Sequence, residues 1–231
     1  MQFLFIIVSS VNIQVFRIMS EILIEAAKKE DLPEAARVLS IAIAPTLNSI
    51  ALWGGDSEKH RHRIEKTLLV ILEKNPYYKT VVARNAGKIV GVHCMLPWPH
   101  CQPTFWEGLK LTPWLFPITR WSAVRGMSLQ FQSSRLDPHQ PHWHLGPIGV
   151  LADARGIGIG RQLVTHVLEE FDRTGTSAYL ETDQFNIVKQ EELLGFNVIG
   201  EARILGIRNW LMWRSPQTNE STPPDELRDE R

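Results

Sequence analysis

Val150-Leu151-Ala152-Asp153-Ala154-Arg155-Gly156-Ile157-Gly158-Ile159-Gly160-Arg161 is the stretch from which the rest of the chain is best read. Three glycines stand at alternate positions between the strand-like run Trp143–Leu151 and a stripe of Leu163, Val164, Val167, Leu168 and Phe171 at helical spacing. That stripe predicts a helix over Gly160–Arg173, ended by Gly175. Glycines let the backbone turn its N–H groups outward and let a phosphate approach closely. The helix start adds unpaired amides and the positive end of its dipole. Arg155 and Arg161 add charge, so a diphosphate suits the pattern; a purely structural strand-to-helix turn also fits the glycines alone. The spacing is not the dinucleotide G-x-G-x-x-G, and no acidic residue ends a strand about 20 residues on. Nor is it a phosphate-binding loop of the Gly-Lys-Ser/Thr kind.

Downstream, Ser177–Thr182 reads as a strand, Ile187–Leu194 as a short helix with Gly195 just past its end, and Phe196–Arg203 and Leu205–Trp213 as two more strands. Upstream, Glu21–Ala26 is a strand, and Asp31 with Pro33 and Glu34 opens a helix to about Ala44. Asp56 or Ser57 opens a second helix, stopped after Lys74 by Asn75-Pro76. Tyr78–Arg84 and Lys88–Met95 form a hairpin about Asn85-Ala86-Gly87. Pro97–Pro117 holds five prolines and Trp98, Trp106 and Trp114, with Trp121 close by. That proline density argues against one continuous helix there. The segment reads either as loops and short helices packed on the domain or as the wall of a substrate cleft. Arg120–Arg135 looks helical. This order predicts an α/β domain.

The 231 residues carry 25 basic and 25 acidic side chains, a net charge of zero, which disfavours binding to nucleic acid or anionic membrane by bulk charge. Two cysteines cannot staple so long a chain, and 44% hydrophobic residues exclude wholesale disorder. Residues 1–18 are apolar but too short and too broken by polar residues for a comfortable span, and they lack a signal-peptide pattern. They read as an extension ahead of a domain over 19–214, with 97–120 as a Pro/Trp-rich insertion. Residues 215–231 read as a disordered tail. With no convincing targeting signal, the expected compartment is the cytoplasm. His93, Cys94, His100 and Cys101 form two adjacent His-Cys pairs, and His139, His142 and His144 cluster later. Adjacent pairs ligate one ion poorly and no Cys-x-x-Cys exists, so no metal is expected.

Arg155-x-x-Gly158-x-Gly160 resembles the Arg/Gln-x-x-Gly-x-Gly/Ala signature of the GCN5-related N-acetyltransferases. His142–Val150 resembles the strand before that signature, Tyr179–Thr182 the strand after its helix, and Gly195-Phe196 the Gly-Phe near the family's C-terminus. The resemblance is specific over about Pro141–Glu201 and implies a mixed, mostly antiparallel sheet of six to seven strands flanked by helices. It also implies acetyl-CoA as co-substrate. The amides of Arg155, Gly156, Ile157, Gly158, Ile159 and Gly160, with Arg161, would hold its pyrophosphate. The backbone of Ile148, Gly149 and Val150 would pair with the pantetheine arm, with Asn186 nearby. Pro147, which has no N–H to donate, marks a bulge in that strand.

Acetyl transfer to an amine needs a base, a polarised carbonyl and a proton for the leaving thiolate. The strands beside the cleft offer His144, Glu181 and Asp183; His144 reads equally as a cleft-lining or core histidine, and Glu181 as the partner of a neighbouring base. Many family members carry a tyrosine four residues before Gly195, where this chain has Glu191. Glu191 becomes a candidate acid if burial raises it. Trp98, Trp106, Trp114 and Trp143 are candidates for the acceptor site. The expected partner is a small-molecule amine, in a monomer or homodimer without nucleic acid or stable membrane association. Acetylation of a peptide or protein amine, or a non-catalytic acyl-CoA-binding module, are the alternatives.

Overall fold

The computed structural model describes residues 22–102, 105–120 and 122–217. The apolar segment 1–18, the polar start at Met19, Trp121 and the tail from 218 onward lie outside the described residues. Seven strands are present: β1 Leu23–Ala26, β2 Lys79–Asn85, β3 Lys88–Pro97, β4 His142–Val150, β5 Ser177–Thr182, β6 Asn197–Ile204 and β7 Ile207–Arg214. They form one sheet in the order β1-β2-β3-β4-β5-β7-β6. Every neighbouring pair is antiparallel except β4 and β5, which are parallel. The helices are α1 Leu32–Ile43, α2 Leu47–Trp53, α3 Glu58–Lys74, α4 Phe105–Thr119, α5 Ser122–Leu136, α6 Ile159–Arg173 and α7 Phe185–Glu192.

Turn chemistry sets the two hairpins. Ala86 and Gly87 both take positive φ (48° and 80°), as do Leu205 and Gly206 (49° and 84°). Two-residue turns of this hand match the twist of the strands they join. The apolar stripe of α6 buries Val164, Val167, Leu168 and Phe171 against Leu145, Ala178, Leu180 and Met212 on one face of the sheet, and Leu163 in a neighbouring cluster with Ala83. On the other face, α1 lays Ala35, Ala36, Val38 and Leu39 over Val82, Val92 and Cys94. Burying each large aliphatic or aromatic side chain contributes roughly 1.5–3 kcal/mol.

Two elements differ from the sequence reading. The chain between the first two expected helices holds α2, capped by Thr46, whose Oγ1 accepts the Ser49 N–H at 3.3 Å, and closed by Gly54 at φ 84°. One helix, α4, also runs through Pro113 and Pro117, although Pro97 and Pro99 stay outside it. A proline here deprives only the carbonyl four residues back. Around Leu109 and Trp114 the helix is exposed, so water serves those carbonyls, and Thr112 Oγ1 donates to the Gly108 carbonyl at 3.0 Å. No single described helix is long and apolar enough to cross a membrane.

The sheet opens in its middle. β4 pairs with β5 only through His142–His144 against Ser177–Tyr179. Beyond that, β5 continues beside β7 while β4 continues beside β3. The β3–β4 register slips between His93 and Met95, opposite Gly146-Pro147, which bends β4 away from β5.

Candidate active site

The opening between β4 and β5 leads into a cleft of about 410 Å³ lined by Ala42, Pro45, Thr46, Leu47, Ile148, Gly149, Val150, Arg155, Asp183 and Gln184. α1 packs directly on β4: a Cβ on Gly149 would lie 2.7 Å from Ala42 Cβ, so glycine is what lets the helix approach this closely. Val150 sits at the mouth. The next amide, that of Leu151, donates to Val90 O at 2.9 Å, so strand alternation turns the Val150 N–H to the open side.

The glycine loop stands beside this mouth. Gly156 and Gly158 have φ of 81° and 85°, and Gly158 is the N-cap of α6. A Cβ on Gly156 would meet nothing within 4 Å, so the loop faces open space. Among the described residues the amides of Gly156–Arg161 have no acceptor. Arg155 donates Nε to Val150 O at 2.9 Å, which ties the loop to the end of β4. The loop therefore fits a diphosphate: open, amide-lined, cationic and at a helix N-terminus. Arg161 lines a separate hollow with Ile24 and His166, on the far side of the helix start.

Glu191 lies on α7 and is only 8% exposed. Its Oε2 has no hydrogen-bond partner, and burial pushes the carboxyl up to about 7. Asn186 is exposed in the first turn of the same helix. Asp183, the one carboxylate in the cleft lining, accepts the Asn48 N–H at 2.7 Å, which ties α2 to the end of β5. Asn48 also bonds the buried Asn209 of β7 at 2.7 Å.

His144 and Glu181 meet on the face of the sheet opposite α6, 3.4 Å apart. The other ring nitrogen of His144, Nδ1, is 2.7 Å from Asp137 Oδ1, so both nitrogens of this ring are engaged. His142 Nε2 lies 3.3 Å from the same oxygen. Burial would lower both rings; Glu181 and Asp137 outweigh it for His144, and the Asp137 bond raises His142 to about 9. Of the adjacent His-Cys pairs, His93 and Cys94 are buried in β3 and His100 stacks on Tyr77, so only Cys101 joins the histidines of β4.

The tryptophans are spread out. Trp143 stacks on Phe171 with ring centroids 5.3 Å apart, on the opposite face of β4 from His142 and His144. The backbone N–H of Trp98 donates to His142 O at 2.9 Å. Trp106 and Trp114 are exposed on α4, and Lys74 sits over the Trp114 ring. The part of the site that sequence reading passed over is its α1–α2 wall, Ala42–Leu47, and Asp137 at the end of α5.

Residues 45–192 match the model of the acetyltransferase (GNAT) family. Among solved structures, the chain is similar to a histone acetyltransferase HPA2 and related acetyltransferase from Corynebacterium glutamicum, with a TM-score of 0.65 and 22% identity over 87% of this chain and 99% of that one. A mosquito arylalkylamine N-acetyltransferase like 5b gives 0.54 and 17% over 84% and 99%. The ribosomal-protein-S18-alanine N-acetyltransferase of Escherichia coli gives 0.51 and 17% over 89% and 98%. At these identities the structures share the fold, while the family match spans well over half of the sequence. The chain belongs to the acetyltransferase (GNAT) family.

Proposed function

We propose that the protein moves an acetyl group from acetyl-CoA to the primary amine of a small molecule by direct attack. The observation that carries this reading is the parting of β4 and β5 directly beside the amide-lined glycine loop. Bound acetyl-CoA supplies the activated thioester carbonyl. The amides of Gly156–Arg161 and the positive end of α6 hold the diphosphate. The free edge of Ile148–Val150 takes the pantetheine arm like an added strand, and the Val150 N–H polarises the carbonyl. Asp183 in the cleft pairs with the acceptor's ammonium and takes its proton through water. Glu191, protonated near pH 7, returns a proton to the departing thiolate. His144 and Glu181 hold each other in the floor beneath.

The cleft of about 410 Å³ holds a single carboxylate, Asp183, beside the strand edge given to the pantetheine, which supports an acceptor that offers one amine. The test is release of free CoA thiol from acetyl-CoA across panels of small amines and of peptides. Saturable stimulation by one or a few small amines is expected. Stimulation by peptides alone would replace the acceptor class. Tight CoA binding by calorimetry with no stimulation by any amine would make the protein a binding module.

A further inference from the structure

His144 of that floor belongs to a cluster whose other members have no part in the proposed acetyl transfer. Cys101, from the turn after β3, and Asp137, from the end of α5, converge on His142 and His144 of β4. Their donor atoms all lie within 4.8 Å of one another. Cys101 Sγ is 3.2 Å from Asp137 Oδ2 and 3.8 Å from His142 Nε2. Asp137 Oδ1 is 3.3 Å from His142 Nε2 and 2.7 Å from His144 Nδ1. The His142 and Asp137 side chains are 0% and 1% exposed.

We propose that Cys101, Asp137, His142 and His144 form a structural zinc site. Zinc bonds of about 2.3 Å to sulfur and about 2.0–2.2 Å to nitrogen or oxygen place tetrahedral ligand atoms about 3.3–3.6 Å apart. With Asp137 ligating through Oδ1, its 3.3 Å to His142 Nε2 and the 3.8 Å from that nitrogen to Cys101 Sγ match that figure to a few tenths of an ångström; His144 Nδ1, 2.7 Å from Oδ1, needs to withdraw by about half an ångström, and Cys101 Sγ, 3.2 Å from Oδ2, needs to turn toward Oδ1. One thiolate, two imidazoles and one carboxylate suit zinc rather than magnesium or calcium, which prefer all-oxygen sets. Four protein ligands close the site, the mark of a structural zinc rather than a catalytic one.

The outer contacts carry the proposal further. A histidine that binds metal through one nitrogen donates the N–H of the other to a carbonyl or carboxylate. His142 Nδ1 is 2.7 Å from Gln140 O, and His144 Nε2 is 3.4 Å from Glu181 Oε2. Gln102 donates Nε2 to Asp137 Oδ2 at 2.8 Å, orienting the carboxylate. Each ring thus faces an acceptor at both nitrogens. A divalent cation between the rings, the thiolate and Asp137 would replace the protons shared there with four bonds and leave the outer N–H groups to Gln140 O and Glu181. The ion would fasten the start of the 97–136 segment and its end to the same strand.

The full chain, purified without chelator, should contain about one zinc per molecule by plasma mass spectrometry. Cobalt exchanged into it should give a sulfur-to-metal charge-transfer band in the near ultraviolet and tetrahedral visible bands. Cys101→Ser should lose the charge-transfer band, and His142→Ala should cut zinc content at least about fivefold, with circular dichroism reporting the fold. If those variants do not fold, the wild-type cobalt spectrum and a fall in Tm of more than about 5 °C on adding a strong chelator carry the same test. A folded wild type that neither holds zinc nor takes up zinc or cobalt in equilibrium dialysis overturns the proposal. So does a metal retained in full by folded Cys101→Ser and His142→Ala.

Discussion

Burial lifts the Glu191 carboxyl from its ordinary 4.5 to about 7 because no charge or hydrogen bond replaces the water its Oε2 loses. Two consequences follow at the scale of this residue. Under the proposed mechanism the protonated form is the acid, so kcat should fall as pH rises through about 7. Glu191→Gln should remove that limb and lower kcat by at least about tenfold. In folding, the folded value lies above the unfolded one, so the folded state binds the proton more tightly. The group favours folding most below about pH 4.5, and that contribution is lost as pH rises toward about 7. Denaturant titrations should show it as about 3 kcal/mol across that window. In Glu191→Gln this part of the slope should vanish, with a gain in stability above pH 7. An unchanged slope would mean that the side chain is hydrated in solution.

At the scale of elements, the junction of β4, the glycine loop and α6 makes two glycines play different parts. Gly160 has room, since a Cβ there meets only Val150 Cγ2 at 3.8 Å. Gly160→Glu should therefore fold with a Tm near that of the wild type while placing a carboxylate beside the loop amides. Acetyl-CoA affinity by calorimetry should fall at least tenfold, about 1.4 kcal/mol. Gly149 has no room, with Ala42 Cβ at 2.7 Å and Leu39 Cα at 3.3 Å. Gly149→Ala should push α1 off β4 and cost about 1–3 kcal/mol of stability in chemical denaturation. The opposite ranking, with Gly149→Ala stable and Gly160→Glu unfolded, would misplace the helix against the strand.

These elements also show what local sequence reveals. The glycine loop, the β2–β3 hairpin and α6 were legible because their signals lie within about fifteen residues, whereas β6 and β7 were read as strands without the turn at Leu205-Gly206, since leucine is no signal for a positive φ. α2 was not, because seven residues leave little periodicity and its cap, Thr46, follows closely on α1. α4 was not, because its prolines break only solvent-facing hydrogen bonds. Glu191 was found through the family's tyrosine position, but its burial is a tertiary fact. The cluster of Cys101, Asp137, His142 and His144 was half legible. His142 and His144 are two apart on a strand and share a face, whereas Cys101 and Asp137 reach them only when the chain between, including α4 and α5, folds back to β4.

At the scale of the whole molecule, aromatic side chains gather both in the core and on one outer helical pair among the described residues. Trp143 and Phe171 stack inside the domain. Trp106, Trp114, Phe116, Met127 and Phe131 of α4 and α5 are 55–68% exposed. Side chains that remain this exposed contribute little to folding, where truncating a buried tryptophan costs about 3–5 kcal/mol. Trp114 adds its contact with Lys74, worth about 0.5–1 kcal/mol at an exposed site. The Trp98, Trp106 and Trp114 triple change to alanine should thus shift Tm by only a few degrees. None of the three lines the cleft beside the glycine loop, so acetyl-CoA affinity should be unchanged within about twofold. With the acceptor held at Asp183 its choice should hold as well; a fall in kcat/KM for apolar and aromatic amines relative to small polar ones would put an acceptor face on the outer helical pair. A loss of Tm comparable to a buried truncation would return these residues to the core. An unaltered acceptor profile would leave selection to the cleft wall of Ala42–Leu47 and Asp183.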